Sequence, residues 1–121
     1  MFARTLVAGL ILAASVSSAA LAFGSQHDGE WKVNLQTTAG NGQCPRTGSA
    51  LVTIRRGLVV GISTPGVTPW GYVDGNVFVG HFTEGNQMLR ANGDVKGDFA
   101  YGPWSSETNY CGGRWTARKV R

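Results

Sequence analysis

The side chains able to do chemistry are few in this chain, and most fail on number or spacing. There are two histidines, His27 and His81. His81 lies in the alternating run Val77 to Phe82, where a single histidine is ordinarily a surface or rim residue. Cys44 and Cys111 are the only cysteines. If they pair, no thiolate remains for nucleophilic attack. Asp94 and Asp98 fall on one face of an expected strand, which separates their α-carbons by roughly 13 Å. Paired glycosidase carboxylates sit within about 9.5 Å. The sequence contains no nucleophile elbow, phosphate loop, dinucleotide-binding glycine unit or zinc-ligand spacing. It therefore predicts a protein that is not an enzyme and that carries neither cofactor nor metal.

The aromatic residues offer more. Pro69-Trp70-Gly71-Tyr72 and Tyr101-Gly102-Pro103-Trp104 are nearly mirror images. Tyr110 stands beside Cys111, and Arg46 stands two residues after Cys44. Trp70, Tyr72, Tyr101, Trp104, Tyr110 and Arg46 gathered on one rim would suit a sugar, an aromatic or amphipathic small molecule, or a partner's side chain. The structural alternative is that Trp70 and Trp104 pack as core or end-plug residues, with the glycines relieving crowding.

The elements that must position these groups begin after a leader. Arg4 is followed by an apolar stretch from Leu6 to about Val16, then by small residues ending in Ala20-Leu21-Ala22. Charge, short apolar core and A-x-A exit make residues 1–22 a secretory signal peptide, with Phe23 first in the mature chain. The stretch is shorter than the roughly 20 residues of a membrane span. Residues 23–121 then form one small domain. The whole chain carries a net charge of +4. Arg114, Arg118, Lys119 and Arg121 cluster at the end, which reads as a soluble basic tail. A nucleic-acid binder would show a basic stripe across a whole face.

The mature chain has no helical period. It repeats short alternating runs separated by turns. Trp31, Val33 and Leu35 share a face, as do Ala50, Val52 and Ile54, and the run Leu58, Val60, Ile62 follows. Further strands are predicted at Trp70–Val73, Val77–Phe82, Gln87–Ala91, Asp94–Tyr101 and Cys111–Val120. Arg56-Gly57, Asp74-Gly75 and Asn92-Gly93 are the tight-turn signals. Eight strands joined in this way give an all-β antiparallel meander. The tight turns lie at its lower end and the longer connections at its upper end. Cys44 and Cys111 both fall at the upper end, so an exported chain would join them in one disulfide. That bond closes a loop of about 68 residues and contributes about 4 kcal/mol in the chain-entropy model. It also sets the first strand beside the last, as a closed barrel requires. An open two-layer sandwich is the alternative.

Two motifs carry a resemblance. Asp28-Gly29-Glu30-Trp31 and Cys111-Gly112-Gly113-Arg114-Trp115-Thr116-Ala117-Arg118 resemble the Gly-x-Trp opening and Cys-x-Gly-x-Trp-x-Ala-x-Arg ending of short exported proteobacterial proteins of uncharacterised function. The Gly-x-Trp also resembles that of lipocalin-like barrels. That likeness implies that Trp31 packs at the closed end under a guanidinium from the last strand, here Arg118. The mature chain is short for that group, and a barrel of such depth can be filled by its own side chains. The single disulfide is similar to that of small periplasmic barrels that inhibit secreted metalloproteases, although theirs closes a much shorter loop.

Together these observations predict a secreted or periplasmic non-enzymatic β-barrel binding a small ligand or a surface at its loop-rich aromatic end. The alternative is a periplasmic protein-protein module such as an enzyme inhibitor. No nucleic-acid partner and no membrane span in the mature chain are expected. A deep cavity would favour the ligand reading, and a protruding N-terminal segment or upper loop the inhibitor reading.

Overall fold

The computed structural model describes residues 24–40, 44 and 47–121. The expected signal peptide and Arg46 lie outside the described residues. Eight strands form: β1 (Gly29–Ala39), β2 (Thr47–Arg55), β3 (Leu58–Ile62), β4 (Thr68–Asp74), β5 (Val77–Glu84), β6 (Gln87–Lys96), β7 (Phe99–Ser106) and β8 (Cys111–Lys119). Each pairs antiparallel with the next. β8 returns to pair with β1, closing a meander barrel. No helix among the described residues is long and apolar enough to cross a membrane.

The period-2 pattern puts Trp31, Val33, Leu35, Val52 and Ile54 inside, as the alternation predicts. β3 departs from it. Its pairing with β2 shifts between Thr53 and Ile54, so Val59 is buried while Leu58 and Val60 face out at 43% and 54% exposure. One extra residue in a strand turns the following side chains to the other face.

The first tight turn is as expected, with Arg56 and Gly57 both at positive φ. Asp28 fixes it by accepting hydrogen bonds from the Arg56 and Gly57 amides at 2.7 and 3.0 Å. The second turn centres on Gly75-Asn76, one residue later than predicted. Asn92-Gly93 is not a turn. β6 runs through it to Lys96, and the reversal falls at Gly97-Asp98, where Gly97 takes φ 61°. Asp98 therefore does not share a strand with Asp94.

The reason lies in the packing of Trp115. Its indole crosses β7 at Gly102 and reaches β6 at Gly93. A Cβ on Gly93 would stand 2.7 Å from Trp115 Cζ2 and collide with the Tyr101 carbonyl. The β6–β7 ladder is interrupted between Ala91↔Trp104 and Asp94↔Tyr101 and resumes in the same register. In that gap the Trp115 indole N–H donates to both the Asn92 and the Pro103 carbonyls at 3.1 Å. A buried indole N–H needs such a partner, and a ladder broken at a proline supplies it. The demands of the core thus override a strong local turn signal.

The lower end is closed by Trp31, by the edge-to-face pair Phe78–Trp115 at 5.6 Å, and by the N-terminal segment. The Trp31 indole donates to the His27 carbonyl at 2.9 Å, and the His27 ring lies 3.1 Å from the Gly75 carbonyl. Residues 25–28 thus cross the floor and touch two of its turns. At the upper end Cys44 and Cys111 form the expected disulfide, with α-carbons 5.8 Å apart. Such a bond is compatible with an oxidising, exported location.

One seam is thinly laced. β3 and β4 share the single bridge Leu58↔Tyr72, supplemented by a hydrogen bond from the Val73 amide to the Gly57 carbonyl. Above it no further ladder pair joins the two strands. β3 follows β2, to which Ser63 is tied through the Leu51 backbone.

Candidate functional site

The barrel is not filled by its side chains. A cavity of about 470 Å³ runs along its axis, within the roughly 300–1,000 Å³ typical of small-molecule sites. Its existence follows from what points inward. Ala50, Ala91, Ala100 and Ala117 line it from four strands, and methyl groups cannot span an eight-stranded barrel. Thirteen hydrophobic residues are buried, yet no described side chain falls below 2% exposure. The inward-facing Val33, Leu35, Phe82 and Leu89 stay only partly buried, because they face empty space where a packed core would supply contacts.

The cavity changes character along its length. Its floor and middle are apolar: Trp31, Val73, Phe78, Val95 and Trp115 lie buried below, with buried Val52 and half-buried Leu35 higher up. Its upper lining is polar and mostly exposed, with Thr47, Ser49, Thr64, Glu84, Gln87 and Asn109 among it. The mouth is therefore at the end where the long connections lie. Cys111 lines the cavity there, so the disulfide pins part of the rim. The arrangement is a one-ended apolar pocket with hydroxyl and amide groups around the opening.

The predicted aromatic rim is not assembled. Trp104 is inside, 5% exposed, and lines the cavity. Its indole crosses β8 at Gly113 and donates to the Gln36 carbonyl at 3.0 Å. Trp70 is on the outer wall at 54% exposure. It stands edge-to-face with Tyr72 at 5.8 Å and tilted over His81 at 4.9 Å. Tyr101 is also on the outside, stacked on Phe99 at 5.8 Å with Lys96 Nζ 5.7 Å above its ring. Tyr110 projects from the β7–β8 loop at 81% exposure. The mirror symmetry of the two motifs hides a difference of parity. Gly71 and Gly102 both face in. Trp70 is one residue from its glycine and points out, whereas Trp104 is two residues away and points in.

The closed-end pairing is corrected in the same way. Trp31 and Arg118 are near one another along the barrel but on opposite faces of the sheet. Trp31 is 3% exposed inside, whereas the Arg118 guanidinium lies on the outer wall, 5.6 Å over the Phe99 ring. Among the described residues no three His, Cys, Asp or Glu side chains form a group able to hold a metal ion.

Sequence reasoning did not find the residues that shape the pocket: Leu35, Phe82 and Leu89 on its wall and Glu84 at its mouth. The signal was present in the inward positions of the strands, where alanine and glycine recur opposite the large residues. Comparison with protein-family models, with curated proteins and with solved structures finds no match to this chain.

Proposed function

We propose that this is an exported, non-enzymatic binding protein that takes a small, largely apolar ligand into the barrel through its upper mouth. The apolar cavity of about 470 Å³, closed at one end, carries this reading. Burial contributes roughly 0.8 kcal/mol for each methylene taken out of water, so a short hydrocarbon body suffices for micromolar affinity. The inhibitor alternative called for a protruding N-terminal segment or upper loop. Residues 25–28 lie against the floor, which speaks against the first of these, while Tyr110 projects from the β7–β8 loop. The cavity, not the loops, is what supports the ligand reading.

The test is titration with N-phenyl-1-naphthylamine, a neutral apolar fluorophore. Binding in the cavity brightens and blue-shifts its emission and draws energy from Trp31, Trp104 and Trp115, all of which line the space. Ala50→Phe projects a ring into the cavity and should weaken binding at least tenfold while the protein stays folded. No binding at micromolar concentrations, or equal binding by Ala50→Phe, overturns the proposal.

A further inference from the structure

We infer that the polar end of the ligand bears no negative charge, and that a single-chain apolar amine fits best. This rests on the cavity being the binding site and adds the chemistry of the head group.

The argument starts from what the lining contains. Below the mouth every described lining side chain is uncharged. Among the described residues the one buried polar side chain, Ser106 at 7% exposure, is a hydroxyl near the top. An ion placed deep in this space would lose its hydration without a partner, which is strongly unfavourable. The head must therefore stay at the mouth while the apolar body goes in.

At the mouth the described lining offers hydroxyls, amides and one ionisable group, the Glu84 carboxylate. Glu84 ends β5, and its Oε2 would lie 3.6 Å from a Cβ built on Gly66 in the β3–β4 loop. The carboxylate thus lies against the adjoining β3–β4 loop at the rim of the opening. No cation among the described residues pairs with it. Among the described bases, Arg90 and Arg114 stand nearest this end, exposed and absent from the lining; Arg46, in the upper β1–β2 connection, lies outside the described residues. Glu107 in the β7–β8 loop adds a second acid at this end.

A head group here meets the Glu84 carboxylate at close range. An ammonium is attracted and can also donate to the threonine hydroxyls. A hydroxyl is tolerated. A carboxylate is repelled, so selectivity comes as much from rejecting the wrong ligand as from holding the right one. Because Glu84 is exposed, water screens the effect. Amine over carboxylate should differ by about tenfold at low ionic strength, and the gap should shrink with added salt.

The experiment displaces bound N-phenyl-1-naphthylamine from the full mature chain at neutral pH with dodecylamine, dodecan-1-ol and dodecanoate. The expected order is amine, then alcohol, then carboxylate. Glu84→Gln should bring the amine and carboxylate together and leave the alcohol unchanged, whereas Glu84→Lys should reverse the charged pair. Dodecanoate binding as well as the alcohol or better overturns the inference, as does a preference that survives Glu84→Gln intact. If the fluorophore binds but no chain displaces it, the head-group inference falls and the cavity reading stands. If the fluorophore never binds, both fall.

Discussion

Removing the disulfide should cost this barrel about 4 kcal/mol. The bond joins residues 67 positions apart, and releasing a loop of that size gives the unfolded chain about that much conformational freedom at 25 °C. The folded state loses little. The β1–β8 ladder runs as far as Ala39↔Gly112, so backbone pairing already brings the neighbourhoods of the two sulfurs together. The effect therefore belongs to the unfolded ensemble. For a domain of about 100 residues, whose total stability is about 5–15 kcal/mol, it translates into a melting temperature lower by about 15–30 °C. Urea unfolding followed by tryptophan emission on Cys44→Ser, Cys111→Ser and the double variant would measure it. All three should lose nearly the same amount. Their denaturant slopes should be steeper than that of the parent, because the uncrosslinked chain expands further. A loss below about 1 kcal/mol, or single losses that add in the double variant, would refute the reasoning.

Two further predictions follow from the packing. Of the four tryptophans, Trp70 alone is exposed, at 54% against 3–5% for Trp31, Trp104 and Trp115, so Trp70→Phe should abolish nearly all iodide-quenchable emission. Persistent quenching in that variant would place another indole at the surface. Gly93→Ala should destabilise by about 2 kcal/mol or more because its Cβ would collide with the Tyr101 carbonyl and push the Trp115 indole from its seat. Gly48→Ala, whose Cβ meets nothing within 4 Å, should stay within about 0.5 kcal/mol of the parent in the same urea assay. Equal effects would remove the indole slot from the account.

The fold was readable from the sequence where a local pattern and a global requirement agreed. Alternation at Trp31–Leu35 and Ala50–Ile54 named the inner face, and chain direction alone placed both cysteines at one end. The errors came where the two disagreed. Asn92-Gly93 has the residues of a tight turn, but Gly93 is small because Trp115 lies across it. The aromatic rim failed because chain position was read without side-chain parity, which separates Trp70 from Trp104 by a single residue's offset from an inward glycine. The cavity was the hardest to see. An empty interior is a property of the volume left over when eight strands are summed, and no single residue or spacing announces it.

The sparse lacing between β3 and β4 has a mechanical consequence. Seven seams of the barrel are joined by four or more residue pairs, whereas β3–β4 is held by the Leu58↔Tyr72 bridge and the Val73–Gly57 hydrogen bond alone, so that seam should yield first. The unzipped stretch borders Thr64 and Val67, which belong to the cavity wall. Opening at this seam would widen the mouth while the tryptophan floor and the sulfur clasp keep their shape.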